Sequence, residues 1–199
     1  MPIALLPYCL TALWGEMTQR LRFSTARDLF QAFPTALDDM VARPSDRGSL
    51  EFVRDLAGSA TPEDAITFSA YLLGRREAVW WGHQCLNTLP DRLAPDDLRL
   101  LALAEDWVRR PEEATRIAAL DAGMASRTRT PGVWIALASG WSGGSMIGPD
   151  SVPVTPPPYL TAKAVNAGVL SVLARVDRKD RAPTLRIFVD MAIRLAMRT

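Results

Sequence analysis

The chain has 199 residues, which is enough for one domain with a substantial core. Hydrophobic residues make up 48% and charged residues 23%, the balance of an ordinary folded protein. The formal net charge is +1, so no broad electrostatic field attracts nucleic acid or a membrane surface. The composition therefore predicts a globular protein that neither binds nucleic acid nor inserts into a membrane.

The first residues are apolar but have neither a basic n-region nor an uninterrupted apolar run, because Pro2 and Pro7 break it. We therefore predict no signal peptide here, and interpret residues 1–24 as an N-terminal arm or strap before a helical domain at 25–199. Cys9 and Cys85 are too few for a disulfide framework, which favours a cytoplasmic location. The sequence leaves open whether these two cysteines form a single disulfide bond.

Helical signals dominate the rest of the chain. Several helix starts pair a proline with acidic residues, as in Pro62-Glu63-Asp64 and Pro95-Asp96-Asp97, and Thr61 is a candidate cap. Helices are predicted near 25–33 and 49–57, over 61–73, from 75 to before Pro90, from 95 to about 109, from 111 past 124, from 130, over 165–176 and over 185–195. The fold class is an all-α, single helical bundle of about seven to nine helices.

The predicted helix after Pro111 has an apolar face and a charged face. The apolar spacing predicts Ile117, Leu120 and Met124 on the inward face. Glu112 and Arg116 are four residues apart, and this spacing predicts an ion pair on the outer face.

The segment 141–158 is the exception to short connections. It is glycine-rich at its start and proline-rich at its end, so it forms neither a helix nor a central strand. Loops this long in a compact domain are usually functional or disordered. We interpret it as a docking element for a partner protein, with a plain connector as the alternative. Its candidate anchors are Trp141, Met146, Ile147, Val152, Val154 and Tyr159.

The segment 75–86 gathers two tryptophans, the only histidine and a cysteine. His83 and Cys85 would lie about 200° apart on a helix, which argues against a catalytic dyad or a shared metal. Trp80 and Trp81 span about 100°, so we expect the helix to be covered on two sides and to be central to the core. An aromatic ligand cage is the alternative. The predicted structural core residues are Glu77, Trp80, Trp81, His83, Cys85 and Trp134.

Three short sequence patterns match functional motifs, but the residues around them do not fit those functions. The run at 140–144 matches G-x-S-x-G around Ser142, but a helical segment precedes it and the only histidine lies upstream. The same glycines lack the lysine of a phosphate-binding loop. Asp96-Asp97 is explained by a helix start and Asp38-Asp39 by solvated surface, so no metal site is predicted. We therefore predict no catalytic residue, cofactor or metal.

The runs Arg76-Glu77-Ala78-Val79-Trp80-Trp81 and Thr130-Pro131-Gly132-Val133-Trp134, with the adjoining loop, resemble an uncharacterised bacterial family of small all-helical proteins. The similarity covers roughly residues 60–198. Members are often encoded near type VI secretion components, so the resemblance implies an accessory, adaptor or chaperone role. The family has no known catalytic residues to carry across.

The leading hypothesis is a non-enzymatic, cytoplasmic helical protein that binds another protein, such as a secretion-system component or its cargo. The alternative is a small-molecule-binding domain or enzyme that uses the Trp80-Trp81 helix and the glycine-rich loop. A converging set of polar groups near Glu77, His83 and Ser142 would favour the alternative. A structural subunit of an oligomer is a third possibility.

Overall fold

A computed structural model describes residues 21–147 and 152–198. These residues form nine α-helices and no strand, which confirms the predicted all-α class. None of these helices is both long and apolar enough to cross a lipid bilayer. The helices are α1 Ala26–Ala32, α2 Ser49–Ala57, α3 Glu63–Leu72, α4 Arg75–Asn87, α5 Pro95–Arg109, α6 Glu113–Ala125, α7 Pro131–Gly140, α8 Leu160–Leu173 and α9 Arg178–Ala196, with short 3₁₀ turns at Pro34–Asp38 and Pro90–Arg92.

Local capping chemistry accounts for the starts of α1, α5 and α7. Thr25 and Asp28 form a reciprocal capping box at α1, and prolines open α5 and α7. The expected cap at Thr61 is wrong: its hydroxyl donates to the Asp64 carboxylate at 3.2 Å instead of capping the helix. Asp64 is buried and accepts the amides of Val41 and Ala42 at 3.0 and 2.9 Å. Asp64 therefore makes a tertiary contact with Val41 and Ala42, and Thr61 binds Asp64 instead of forming the predicted local cap.

The most enclosed helices are α3 and α7 rather than α4. Nine of the ten residues of each are buried, whereas seven of thirteen are buried in α4. Helix α4 still contacts α3, α5, α7, α8 and α9, so it is covered on more than one side, as predicted. Helix α7, which touches α4, α5, α6 and α8, shares this central position.

Two glycines allow α4 and α8 to approach α7. A Cβ added at Gly82 would lie 2.7 Å from the Ile135 side chain, and one at Gly168 would lie 2.9 Å from the same side chain. Ile135 is fully buried between them. Close packing at Gly82 fixes α4 against the helix that leads into the long loop.

The residues before α2 are tied to the bundle by a polar cluster. Asp39 accepts the Tyr71 hydroxyl at 2.5 Å and the Lys163 ammonium at 2.6 Å. The interpretation of Asp39 as solvated surface is therefore wrong, because its carboxylate joins α3 and α8. Leu21 and Phe23 pack against the core, so the described end of the predicted arm belongs to the folded unit. Residues 1–20, including Cys9, lie outside the described residues.

Candidate functional site

Helix α6 is rotated from its predicted orientation, and this brings a cation into the protein. Its buried residues are Arg116, Ala119, Leu120 and Gly123. Met124 is 53% exposed and Arg116 is 3% exposed, so the predicted inward methionine and outward arginine are both wrong. Gly123 faces α7 because a Cβ there would lie 2.9 Å from the Leu137 side chain. Close packing at this glycine sets the rotation of the helix.

Arg116 binds the loop that follows α7. Its Nη1 donates to the carbonyl of Gly140 and, at 3.1 Å, to the carbonyl of Ser145. Its Nε and Nη2 donate to the Glu113 carboxylate at 2.8 and 2.6 Å, which replaces the predicted pair with Glu112. These bonds lower the pKa of Glu113. The buried guanidinium is thus paired and fixes two points of the loop backbone.

Gly144 completes this contact. Its φ is +58°, a left-handed conformation that side chains disfavour. A Cβ at this position would lie 2.5 Å from the Arg116 guanidinium. Glycine is required here for both reasons, so the first half of the loop has a specific shape.

Three successive carbonyls, beginning with that of the last residue of α7, each receive a side-chain donor from a different helix. Gly140 is bound by Arg116 of α6, Trp141 by the Thr161 hydroxyl of α8 at 3.0 Å, and Ser142 by Arg75 of α4 at 2.9 Å. The last carbonyls of a helix lack partners within the helix. Tertiary donors satisfy them here, so the start of the loop is fixed to three elements of the bundle.

The two described halves of the loop also bind each other. The Met146 amide donates to the Val154 carbonyl at 2.8 Å. The Ser145 hydroxyl accepts the amides of Ile147 and Val154, each at 3.2 Å. These bonds close the loop at its base, and residues 148–151 lie outside the described residues.

The six predicted docking residues fall into two groups. Ile147, Val152 and Val154 are 39, 83 and 47% exposed. Trp141, Met146 and Tyr159 are half-buried, and Trp141 packs against both parts of the hydrophobic core. Only the first group projects from the bundle. We name Ile147, Val152 and Val154 the loop triplet.

The predicted core residues on α4 and α7 also fall into two groups, one buried and one half-buried. Trp81, His83 and Cys85 are buried, and the Trp81 indole donates to the Phe188 carbonyl at 2.9 Å. The other three, Glu77, Trp80 and Trp134, are half-buried. The Glu77 carboxylate also exerts an electrostatic effect on Arg22, in the segment that precedes α1.

The potentially reactive side chains are not assembled into a site. Burial raises the pKa of the Cys85 thiol well above its ordinary value, which disfavours the nucleophilic thiolate. The Ser142 hydroxyl donates to the Ser139 carbonyl at 2.6 Å. His83 contacts Trp80, Gln84 and Glu105 in the structure. Within residues 21–147 and 152–198, no group of three His, Cys, Asp or Glu side chains is placed to hold a metal ion.

His83 makes the stability of the fold depend on pH. Burial lowers its pKa, although Glu105 at 3.7 Å partly opposes this. Between that lowered value and the unfolded value of about 6.5, the unfolded chain binds a proton that the native chain does not. We therefore expect the free energy of unfolding to fall as the pH is lowered from about 7.5 to about 5.5.

Urea denaturation of the wild type and His83→Gln across this pH range measures the effect. The chain has only one histidine, so the variant should show the smaller pH dependence even if it is less stable at every pH. If the free energy of unfolding had the same slope against pH in both proteins, the pH dependence could not be assigned to His83.

A model of a family of unknown function, DUF6931, matches residues 52–196. The chain belongs to this family. The prediction of an uncharacterised family is thus confirmed, and the DUF6931 region runs from within α2 to the last residue of α9. It contains Arg75, Arg116, Thr161 and the whole loop, and it leaves out α1. No curated protein and no solved structure matches the chain.

Sequence reasoning missed the loop anchors Arg75 and Arg116. A signal for Arg116 was present, since Arg116, Leu120 and Gly123 recur at helical spacing on one face. This spacing was missed because Arg116 was assumed to face solvent. Nothing local marks Arg75, whose partner Ser142 lies 67 residues away.

Proposed function

We propose that the protein is a non-enzymatic accessory protein, an adaptor or chaperone, that binds another protein through the loop at 141–158. The observation that carries this proposal is the combination of a fixed base and an exposed apolar triplet. Arg75, Arg116 and Thr161 hold the start of the loop, while Val152 is 83% exposed. A loop whose base is already ordered loses less conformational entropy when it binds.

The composition of the loop supports a protein partner. The loop triplet offers apolar side chains without a charged neighbour between 152 and 159. Prolines at 153 and 156–158 restrict the backbone, which lowers the entropy lost on association further. Exposed apolar side chains on a pre-ordered segment are typical of a surface that binds another protein.

The small-molecule alternative receives no comparable support. Two surface depressions, one beside Arg22 and Pro158 and one beside Trp80, measure about 10 and about 140 Å³. Pockets for drug-sized ligands are typically roughly 300–1,000 Å³. The contacts of Glu77, His83 and Ser142 also lead to different neighbours rather than to one another.

The identity of the partner is inferred from the family that the sequence motifs resemble. A family often encoded near type VI secretion components points to a secretion-system component or its cargo, bound in the cytoplasm. A chaperone of such cargo would use an exposed apolar surface, and the loop triplet provides one.

Affinity purification of tagged protein from the organism that encodes it tests the proposal. Ile147, Val152 and Val154 are replaced together by serine. All three are exposed, so each change should alter the free energy of unfolding by less than about 0.5 kcal/mol. A partner recovered with the wild type should decrease at least about tenfold with this variant.

A matched variant controls for loss of apolar surface in general. Val41, Leu98 and Ile187 are 66, 44 and 52% exposed and lie outside the loop. Their triple serine variant should recover the partner as the wild type does, and so should Ser142→Ala. Equal recovery with the loop variant, or no specific partner with any of the proteins, would overturn the proposal.

A further inference from the structure

A second surface lies between α4 and the C-terminal end of α9. It is a depression of about 140 Å³. Its apolar lining comes from Trp80, Met191 and Leu195, all half-buried. The Trp80 ring is stacked on His83 at 5.2 Å between centroids and 8° between planes, so its orientation is fixed. The depression shares no residue with the loop at 141–158 and does not rest on the function proposed for that loop.

Two arginines also line this depression. Arg194 and Arg198 are both exposed, and neither takes part in an ion pair among the described residues. The two guanidinium groups are thus available to an anionic ligand.

The surrounding charge favours an anion as well. Residues 178–198 carry six cationic and two acidic side chains, although the whole chain has a net charge of only +1. Four of these cations lie at 178–186, at the opposite end of α9 from the depression, so Arg194 and Arg198 supply the positive charge beside it. Such a local field raises the encounter rate with negatively charged partners.

We propose that this depression binds an acidic peptide segment of a partner protein. One apolar side chain of that segment enters the depression against Trp80, Met191 and Leu195. Neighbouring Asp or Glu carboxylates accept from Arg194 and Arg198, whose planar groups match a carboxylate in a bidentate manner. Tryptophan and arginine are the residue types that most often dominate binding energy at interfaces.

The size and polarity of the depression favour a peptide over nucleic acid. About 140 Å³ holds a single side chain, to which Trp80, Met191 and Leu195 offer apolar contacts. Nucleic acid is bound by a track of cations that follows many phosphates, which the two arginines beside this depression do not provide.

Selection from a displayed library of random dodecapeptides tests the proposal on the full chain. Rounds on the wild type alternate with removal of peptides that bind the variant Arg194→Glu/Arg198→Glu. Enriched peptides should carry Asp or Glu next to Leu, Phe, Trp or Met. A fluorescein-labelled enriched peptide should bind the wild type in an anisotropy titration and lose about tenfold or more in affinity for the double variant.

The control has the same change in charge on the same helix. Arg178→Glu/Arg186→Glu replaces two exposed arginines outside the depression, and it should bind the peptide within about twofold of the wild type. Circular dichroism should show the same helix content in all three proteins.

Four outcomes would overturn the proposal. No peptide is enriched, the enriched peptides lack acidic residues, or the two double variants weaken binding equally. The fourth is that a labelled 20-nucleotide single-stranded DNA binds more tightly than any enriched peptide and loses affinity with Arg194→Glu/Arg198→Glu, which would identify a phosphate site.

Discussion

Replacing Asp97 with alanine is expected to lower the free energy of unfolding by about 3 kcal/mol. Asp97 is fully buried, and its carboxylate serves two helix starts at once. It accepts the Ala94 amide before α5 at 3.1 Å, and the Thr130 hydroxyl and the Gly132 amide of α7, the latter at 2.8 Å. Alanine would leave these buried donors without an acceptor and remove a negative charge from two positive helix ends.

The backbones of α5 and α7 also meet closely at this contact. A Cβ at Gly132 would lie only 2.6 Å from the Asp97 Cα, so α5 and α7 meet backbone to backbone. Arg175 lies 3.7 Å from the carboxylate and would lose its anionic neighbour. The change therefore affects α7, the helix that leads into the loop.

Urea denaturation of Asp97→Ala and Asp96→Ala measures this effect with a neighbouring control. The Asp96 side chain is 90% exposed, and its arginine contact at 3.9 Å is on the surface. Its removal should change the free energy of unfolding by less than about 0.5 kcal/mol. Equal losses in the two variants would show that Asp97 acts only as a helix-start charge.

Replacing Arg116 with methionine is expected to release the loop at 141–158 from the bundle. Methionine keeps much of the side-chain volume but donates no hydrogen bond. The carbonyls of Gly140 and Ser145 would lose their shared donor, and the free energy of unfolding should fall by about 2 to 3 kcal/mol. The amides of Met146 and Val154 should then exchange faster, because their hydrogen bonds depend on the closed loop.

Hydrogen–deuterium exchange read by mass spectrometry distinguishes local release from general loss of stability. Arg110→Met is the control, since Arg110 pairs with Asp106 on the surface, where the two side chains are 62 and 42% exposed. It should leave exchange in the loop unchanged. Unchanged exchange over 141–158 in Arg116→Met would contradict the role of Arg116 as the anchor.

The features predicted correctly from sequence are those fixed by local chemistry. Pro95 and Pro131 both open helices because proline fits the first helical position. The glycines and prolines between 141 and 158 exclude regular structure. These signals act within a few residues, so they hold whatever the rest of the chain does.

The errors arose where a distant contact decided the outcome. Met124 competes with Arg116 and Gly123 for the inward face of α6, because all three have helical spacing from Leu120. Only the need of the Gly140 carbonyl for a donor, and the close approach of Leu137 to Gly123, place Arg116 and Gly123 inward. Asp39 was misplaced for the same reason, since its partner Lys163 lies 124 residues away.

The docking residues were predicted as one set because sequence composition does not separate support from exposure. Trp141 and Tyr159 flank the loop and pack against the core, whereas Val152 projects from the bundle. The distinction depends on which carbonyls are bound by α4, α6 and α8. It becomes visible only when those helices are placed.

Photocrosslinking from position 152 probes the docking surface in the cell. Benzoylphenylalanine in place of the 83% exposed Val152 is illuminated in cells of the source organism, beside the same substitution at the 52% exposed Ile187. We predict a discrete protein adduct from position 152, weakened by Arg116→Met and missing from position 187. Adducts of equal yield from both positions, or from position 187 alone, would contradict a docking role for the loop.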